Sequence, residues 1–540
     1  MTTESAIPEA VQASGPHDMS RTRRRGGKDG GHGGQASTLS SIVNLLNTIV
    51  GAGTLAMPSV LSHMGIMLGV VLILWSGVTA AFGLYLQSRC SRYLDRGTSS
   101  FFALSQITYP NASVIFDLAI AVKCFGVAVS YMIIIGDLMP GVMLGFNDAV
   151  ADIPYLVDRH FWVTAFMLLI IPLSFLRRLD SLKYTSLVAL VSIGYLIVLV
   201  IYHFAADSHA DPEDIRVIKW AGPVETLSAL PVVVFAYTCH QNASSPRVFK
   251  SLMPTRWLTV ETEQMFSIIN EIKDNSPASM VEVVTSSIGS AACVYVLVAI
   301  TGYITFGNSI VGNIVSMYPT GVASTIGKAA IVLLVLFSIP LQIHPCRASL
   351  HAVLKWRPNR SSANAGRPGS PLLNASAVPR GDHGSGTPIS DTRFALLTTV
   401  ILTLAYMTAL SVSSLDRVLA FVGSTGSTSI SFILPGLFYY KISDPDSIHH
   451  QRLLKGDDDM EDEPSSDVEE AAGGILTQST SSIRSFNGSQ PRWRWRRKWR
   501  WDLEHLDHQL LRKLALSLAA YGMVVMSVCL VMNIFFAVAH

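Results

Sequence analysis

Long apolar segments alternate with short polar connections along most of the chain. A membrane-spanning helix needs about 20 predominantly apolar residues, and the pattern contains about eleven segments of that kind. The predicted spans are 39–61, 65–88, 112–141, 161–176, 184–204, 226–241, 283–306, 324–352, 393–412, 417–440 and 514–538. The fourth and sixth are short. This pattern predicts an all-α polytopic membrane protein.

The first predicted span is interrupted by small residues at Val50, Gly51, Ala52, Gly53 and Thr54, and a proline follows. A helix break at membrane depth leaves backbone N–H and C=O groups that lipid cannot satisfy, so it survives only where it lines a cavity or a bound solute. Secondary transporters build substrate sites from such discontinuous helices. These five residues are therefore predicted to bind a transported solute.

The sixth predicted span combines an early proline with a polar cluster at its other end. Phe235, Ala236, Tyr237 and Thr238 are predicted to complete the solute site, because the first and sixth spans are five spans apart, as an inverted five-helix repeat places them. His240 follows directly. It is read equally well as an ion-coupling group and as a side chain at the membrane interface.

A polar stripe runs along the first span. Ser40, Asn44, Asn47 and Gly51 recur at helical spacing and share one face. Such a stripe also suits close helix packing with interhelical hydrogen bonds. Packing explains Ser40 well, but it explains the break poorly.

Ionisable groups inside predicted spans are candidates for ion coupling. Lys123 lies near the middle of the third span, and Asp137 lies too far along the same helix to pair with it directly. Lys123 is predicted to replace a coupling cation or to exchange a proton. The alternative is a buried lysine that pairs with a carboxylate or carbonyls elsewhere. Ser338, in a proline-distorted part of the eighth span, is predicted to complete a cation site with the first span.

Composition agrees with a membrane protein. The chain of 540 residues is 49% hydrophobic and 14% charged, with a mean hydropathy of +0.39. The net charge of +2 says nothing about partners. The six cysteines include no CxxC pair, which disfavours a disulfide framework or a zinc site. No nucleophile–base or metal-spaced cluster is present in the sequence, so an enzyme, a metal and an organic cofactor are not expected.

Lysine and arginine alternate between the loops. Positive charge concentrates in one set of connections, whereas the loops 205–224 and 307–323 of the other set are acidic or uncharged. The positive-inside rule therefore places the N-terminus in the cytosol. No signal peptide is recognisable at residues 1–36.

Several segments outside the spans are predicted to be unstructured and cytosolic, because they are too polar to form a core. The predicted organisation is a tail over 1–36, a transmembrane core over 37–441 with a flexible loop over 357–391, a disordered region over 442–512, and a last helix over 513–540. Sorting or regulatory proteins are the expected partners of these tails. Alternating Arg and Trp at 492–501 favours a lipid interface over nucleic acid.

The chain is similar to the amino acid/auxin permease family, in its neutral amino acid transporter branch, and resembles the fungal vacuolar amino acid exporters. The matching motifs are Val43-Asn44-Leu45-Leu46-Asn47-Thr48-Ile49-Val50-Gly51-Ala52-Gly53-Thr54-Leu55, Leu173-Ser174-Phe175-Leu176-Arg177-Arg178-Leu179 with Tyr184-Thr185-Ser186, Cys239-His240, Tyr303-Ile304-Thr305-Phe306-Gly307, and Phe421-Val422-Gly423-Ser424 through Phe432-Ile433-Leu434-Pro435. The resemblance implies a LeuT-like 5+5 inverted repeat plus one helix. It also implies coupling to sodium or protons, with Asn47 and a hydroxyl near Ser338 helping to bind sodium in sodium-coupled relatives.

One segment departs from the family pattern. Residues 243–264 lengthen the connection after the Cys239-His240 motif, beside a presumed gate. The insertion is read either as a retained intron or annotation error, or as a real loop.

These features together predict a secondary active amino acid transporter in the vacuolar membrane, exporting amino acids to the cytosol with protons rather than sodium. Two alternatives stay open at this stage. One is a sodium-coupled importer in the plasma membrane, and the other is an amino acid-sensing receptor that signals through its cytosolic tails.

Overall fold

The computed structural model describes residues 37–94, 99–176, 185–207, 209–240, 268–269, 272–273, 276–356, 390–447, 449–451 and 508–539. Within these ranges the regular structure is helical, and no β-strand is present. The all-α prediction is therefore confirmed. The predicted tail at 1–36, the insertion at 243–264, most of the loop at 357–391 and residues 452–507 lie outside the described residues.

Fourteen helices of eight residues or more are labelled here in chain order within the described ranges. They are α1 (Thr38–Ile49), α2 (Ala52–Met64), α3 (Ile66–Ser91), α4 (Phe101–Thr108), α5 (Ser113–Phe146), α6 (Arg159–Phe175), α7 (Thr185–Ala206), α8 (Pro223–Ala236), α9 (Pro277–Phe306), α10 (Val322–Lys355), α11 (Asp391–Ser411), α12 (Leu415–Val422), α13 (Leu434–Ile442) and α14 (His508–Ala539). Two wide π-helical segments join α12 to α13, at Gly423–Ser427 and Ser429–Ile433. Short helical turns lie at Pro110–Ala112, Asp148–Asp152, Pro154–Val157, Pro212–Asp214, Gly307–Ser309 and Ile314–Met317.

Eight of the described helices or helix combinations are long and apolar enough to span a membrane, and α1 with α2 adds a ninth span that is bent by 54°. The shorter apolar helices α6 and α8 coincide with the predicted fourth and sixth spans. The exact number of eleven spans stays a prediction.

Some helix boundaries differ from the prediction. The last helix begins at His508 rather than at 513, and α4 was not predicted at all. The predicted sixth span ran from 226 to 241, but its helix ends at Ala236, so residues 237–240 are not helical. Sequence hydropathy extends through these four residues because Tyr and Cys are apolar enough to continue the pattern.

The long helices pack into two groups. In one group, α2 packs against α8 and α9, while α9 also packs against α1 and α3. In the other, α5, α6, α10 and α11 pack against one another. The segment from α12 to α13 contacts α5, α8 and α14. The first span (α1 with α2) and the sixth span (α8) therefore meet inside the first group, as the predicted repeat requires.

The outer faces of the bundle are apolar. Met67, Val71, Leu74 and Val78 lie on one exposed face of α3, and α14 exposes a similar set. A helix surface of this kind suits a lipid environment, in which exposed apolar side chains carry no hydration cost.

Candidate functional site

The break in the first span, between α1 and α2, lies against the end of α8, which is the sixth span. The helix α1 ends at Ile49, α2 begins at Ala52, and α8 ends at Ala236. A Cβ placed on Gly53 would lie 2.5 Å from the Cβ of Ala236 and 2.8 Å from its Cα. Glycine at 53 therefore allows the two broken helices to touch. The structure brings together the two segments that the sequence predicts as one solute site.

Gly51 has different surroundings from Gly53. A Cβ on Gly51 would meet no atom within 4 Å, so this glycine borders open space. Its neighbours Val50, Ala52 and Thr54 are buried, at 2%, 7% and 0% exposure. Open space at membrane depth thus lies beside the break itself, next to the first turn of α2.

A tyrosine on α9 joins the two breaks. The hydroxyl oxygen of Tyr295 lies 2.7 Å from the carbonyl oxygen of Ile49 and 2.8 Å from that of Ala236, so its single proton is shared between these two acceptors. These two carbonyls belong to the last residues of α1 and α8, where the helix leaves its backbone oxygens free. Tyr295 is fully buried. Sequence reasoning missed this residue, because a single tyrosine in an apolar span carries little signal until its partners are known.

A second tyrosine lies against the first. The ring of Tyr237 stands edge-on to the ring of Tyr295, with centroids 5.1 Å apart and planes at 79°. Tyr237 is fully buried, and its hydroxyl has no hydrogen-bond partner among the described residues. Its ring packs over Gly77 of α3, where a Cβ would approach within 3.2 Å.

The non-helical residues after α8 are held in place by hydrogen bonds. The hydroxyl of Thr238 donates to the carbonyl of Val234 at 2.8 Å and accepts a hydrogen bond from Ser431 at 3.2 Å. Thr238 therefore fixes the end of α8 to the π-helical segment between α12 and α13. Its hydroxyl both donates and accepts a hydrogen bond within the protein.

His240 is attached to α3. Its Nε2 lies 3.1 Å from the carbonyl oxygen of Ala80, and its own carbonyl accepts a hydrogen bond from the Gln87 amide at 3.1 Å. Because a carbonyl only accepts, Nε2 carries the proton, while the shielded Nδ1 has no partner in the described part of the chain. Both contacts position the non-helical segment, and the predicted coupling role stays a prediction.

Lys123 lies between the π-helical segment that joins α12 to α13 and the non-helical residues 237–240. It is 5% exposed, and a Cβ on Gly426 would lie 2.7 Å from its Cβ. Its ammonium is near enough to Cys239 and His240 to interact with them electrostatically. No hydrogen bond to Lys123 occurs within the described ranges.

Asp137 has a structural partner. Its carboxylate accepts a hydrogen bond from Arg159 Nε at 3.2 Å, and Arg159 also donates to the carbonyls of Ala409 and Val412. This ion pair ties α5 and α6 to the end of α11. Asp137 and Lys123 do not pair.

The predicted cation ligands are not joined to each other. The hydroxyl of Ser338 donates to the carbonyl of Leu334 at 2.7 Å, one turn earlier in α10. Asn47 Oδ1 is shielded from solvent and has no partner among the described residues. No hydrogen bond between Asn47 and Ser338 is formed in this conformation.

The tenth span, which runs from α12 to α13, contributes a polar segment that the sequence indicated only as a family motif. Its π-helical turns bury Ser424, Ser427, Thr428 and Ser431 completely. The hydroxyl of Thr428 donates to the carbonyl of Gly423 at 2.6 Å, a carbonyl that also accepts the backbone N–H of Thr428. A run of Gly, Ser and Thr inside an apolar span was the available signal.

Several buried polar atoms on these elements have no hydrogen-bond partner within the described ranges. They are Asn47 Oδ1, Thr54 Oγ1, Ser76 Oγ, Tyr237 OH, His240 Nδ1 and Ser427 Oγ. Buried polar atoms in native proteins are nearly always paired. Unpaired atoms on the elements that meet at the breaks fit a site for a small polar solute, water or a cation. No group of His, Cys, Asp or Glu in the described residues has the arrangement of a metal site.

Comparison with known proteins identifies the family. The model of the family described as transmembrane amino acid transporter protein matches residues 34–245 and 262–457. Vacuolar amino acid transporter 6 of Saccharomyces cerevisiae is 41% identical over 433 residues, which cover 75% of this chain and 90% of that protein. Vacuolar amino acid transporter 5 of Schizosaccharomyces pombe is 41% identical over 76% of this chain and 86% of its own length.

More distant matches extend the comparison. Sodium-coupled neutral amino acid transporter 7 of Rattus norvegicus is 27% identical over 75% of this chain and 79% of that protein. The crystal structure of MhsT in complex with L-phenylalanine overlaps with a TM-score of 0.47 at 13% identity and covers 92% of this chain and 100% of that one. The family match leaves out residues 246–261, which lie inside the predicted insertion 243–264.

Proposed function

Because the chain belongs to the transmembrane amino acid transporter family, we propose that it is a secondary active carrier that exports amino acids from the vacuole to the cytosol together with protons. The vacuolar assignment is supported by relatives named as vacuolar transporters at 41% identity. The single observation that carries the mechanism is the meeting of two broken helices beside open space at Gly51.

The breaks offer opposite charges to an amino acid zwitterion. The N-terminus of α2, at Ala52 and Gly53, presents free backbone N–H groups and the positive end of a helix dipole, which suit the carboxylate. Residues 237–240 are non-helical and carry carbonyls that suit an ammonium group. These two features support a position for the substrate backbone between the predicted residues of α1–α2 and α8, with Tyr237 beside it.

Two features favour protons over sodium. In carriers with discontinuous helices, the C-terminal ends of half-helices coordinate the coupling cation. Here the corresponding carbonyls of Ile49 and Ala236 accept hydrogen bonds from Tyr295 instead. Lys123 adds a buried positive charge beside the non-helical residues, in the place where a mobile cation would otherwise be needed.

The packing of α1 and α2 indicates which side of the path is closed. Every residue of α2 except His63 is buried, whereas only Ser41, Leu45 and Ile49 are buried in α1. The path is therefore sealed around α2 and loosely covered around α1. With the N-terminus in the cytosol, as the lysine and arginine pattern predicts, the conformation is open toward the cytosol.

Efflux from sealed vesicles tests this function. Vesicles that contain the purified protein are loaded with a panel of labelled amino acids, and efflux is followed with an imposed proton gradient, with a sodium gradient, or with neither. We expect net movement to follow the proton gradient and to ignore sodium. Movement that follows sodium alone would replace this proposal with a sodium-coupled carrier, and specific binding without flux would favour an amino acid sensor.

A fluorescent fusion expressed in a fungal host locates the protein. Signal on the vacuolar membrane is expected, and signal confined to the plasma membrane would contradict the vacuolar assignment.

A further inference from the structure

The shielded carboxylate of Asp416 joins α2 to α12 on the sealed side. Asp416 lies in the first turn of α12 and contacts the C-terminal half of α2, where the Ser59 hydroxyl donates to Asp416 Oδ2 at 2.8 Å. Ser59 is 3% exposed. This contact connects α2 to α12 about two turns beyond the break at Gly51.

The second oxygen of this carboxylate has no partner. Asp416 Oδ1 is shielded from solvent and accepts no hydrogen bond from the described residues. Gly312 closes over it, since a Cβ there would lie 2.5 Å from the carboxyl group. The adjacent Asn313 is 2% exposed, and neither atom of its amide has a partner in the described part of the chain. The loop thus buries polar groups without pairing them.

Few charges lie near enough to compensate. His63 of α2 acts electrostatically on Asp416, and its Nδ1 is 2.9 Å from the carbonyl oxygen of Ser59. Residues 310–317 contain no titratable group. The other titratable groups on α12 and on the helices packed against it are Arg417 on α12, Glu225 on α8, Asp117, Lys123, Cys124, Tyr131 and Asp137 on α5, and His508, Arg512, Lys513, Tyr521 and Cys529 on α14.

A carboxylate that is shielded from water with one oxygen unpaired is costly as an anion, whereas the neutral acid is not. Separation of α12 from α2 and from the loop at Gly312 would return the carboxylate, including Oδ1, to water and remove that cost. The closed arrangement therefore holds a proton on Asp416 more tightly than the open one does. A ligand shifts a conformational equilibrium by its difference in affinity for the two states.

We propose that Asp416 is a proton-binding site that closes this side of the transport path, taking a proton from the adjoining solution onto its carboxylate as α2 and α12 come together. Acid on this side then favours the closed state. That this side is the acidic vacuolar lumen rests on the proposed function; the pH-dependent contact itself does not.

Cysteine accessibility measures the closure without any need for transport. Thr226, in the first turn of α8, is 7% exposed, and the residues just before α8 are tied to α2 because the Ala221 N–H donates to the His63 carbonyl. Thr226→Cys is made in a Cys293→Ser background, because Cys293 is the exposed native cysteine. Its rate of modification by an impermeant maleimide is divided by the rate for Ser309→Cys, an exposed position, which cancels the pH dependence of the reagent.

With Asp416 present, we expect this ratio to fall about threefold or more between about pH 7.5 and pH 5.5, since protonation favours the closed state. Asp416→Asn supplies a permanently neutral side chain of the same shape, so the ratio is expected to be low at both pH values. Asp148→Asn, an exposed carboxylate beyond the end of α5, is the matched control and keeps the pH dependence.

A second variant guards against misfolding of the first. Ser59→Ala removes the hydrogen bond to Oδ2, and because a hydrogen bond to a charged group is worth more than one to a neutral group, the ratio is expected to rise more at about pH 7.5 than at about pH 5.5. An unchanged fall in Asp416→Asn would overturn the proposal. So would loss of the fall in His63→Gln alone, because the histidine would then be the group that titrates.

The same preparations separate this inference from the proposed function. Absence of proton-driven flux with a normal pH dependence of the ratio would refute proton coupling and leave the Asp416 site standing. Proton-driven flux with a ratio that ignores pH would refute the Asp416 site alone.

Discussion

Gly51 and Gly53 lie in the same break but meet different surroundings. Gly53 touches Ala236 of the sixth helix, whereas Gly51 borders open space. The sequence predicts that both glycines let backbone approach a solute, so that Gly53→Leu abolishes transport at normal abundance. The contact with Ala236 gives Gly53 a packing role beside the predicted role of its backbone, and Gly51 is the glycine that borders the space.

The two glycines are therefore expected to respond differently to a single methyl group. Gly53→Ala overpacks the helix crossing, at a cost of about 1–3 kcal/mol, and should lower both protein abundance and uptake. Gly51→Ala should lower uptake at normal abundance. Gly289→Ala, at an open position of α9, is the control. Normal uptake by Gly51→Ala would place the solute elsewhere.

Tyr295 is a positioning residue for the two half-helices. Tyr295→Phe removes the one hydroxyl proton that the carbonyls of Ile49 and Ala236 share, at a cost of about 1–3 kcal/mol for a buried acceptor left unsatisfied. Uptake is expected to fall about tenfold or more, since 1.4 kcal/mol corresponds to a factor of ten. The measurement is the initial rate of uptake at matched protein abundance.

Tyr303→Phe provides the matched control. Tyr303 is an equally buried tyrosine of the same helix, but its hydroxyl bonds Asn308 and the backbone of Arg216, away from the breaks. Equal losses in the two variants would reduce Tyr295 to a packing residue.

Lys123 carries a charge that is costly at membrane depth, by about 2.5–3.5 kcal/mol on insertion scales. If that charge couples flux to protons, Lys123→Met and Lys123→Ala should both lose accumulation driven by the pH gradient while exchange of amino acids persists. Lys328→Met is the control, because Lys328 is also buried but donates to the carbonyl of Tyr318. Full gradient-driven accumulation in both Lys123 variants would make this lysine structural.

At the scale of helices, the two halves of the first span differ in burial. The half α2 is packed on nearly all sides, and α1 is packed mainly against α9. The π-helical segment between α12 and α13 adds buried Ser and Thr hydroxyls, of which that of Thr428 donates to the Gly423 carbonyl. Such segments are favoured at functional sites.

Accessibility of cysteines in these two halves should follow their packing. In the Cys293→Ser background, Asn44→Cys in α1 is expected to react about ten times faster or more than Val60→Cys in α2, since a sealed side opens only in a minor population. Modification rates with a maleimide measure the difference. Equal rates would mean that the sealed and open sides exchange freely in solution.

At the scale of the whole molecule, orientation decides which compartment each side faces. The glycosylation sequons at Asn111, Asn242, Asn359, Asn374 and Asn487 all lie in regions that the positive-inside pattern places in the cytosol. None is expected to carry a glycan. Glycan at Asn374 or Asn487 would reverse the orientation, and with it the vacuolar face of Asp416.

A positive control is available on the other side. Ala149→Thr creates a sequon at Asn147, which is exposed beyond the end of α5. This variant should gain mass that is removed by a glycosidase, whereas the unmodified chain should not.

The sequence by itself determined the membrane class, the broken first helix and the family. Each depends on local information: the length of apolar segments, the small residues at 50–54 and the order of the motifs. The same local information placed the helix boundaries to within several residues and brought Gly51, Gly53, Ala236 and Tyr237 into one predicted site.

Only the tertiary structure decided which atoms meet. Tyr295 bridges helix ends that are about 190 residues apart in sequence, Asp416 contacts Ser59 across 357 positions, and Asp137 pairs with Arg159 rather than with Lys123. None of these contacts leaves a periodic trace in the sequence, because a hydrogen bond between distant segments depends on how helices cross and not on the residues that surround either partner. Local sequence determines where the helices break, whereas the packing of distant segments determines which groups form hydrogen bonds with the broken ends.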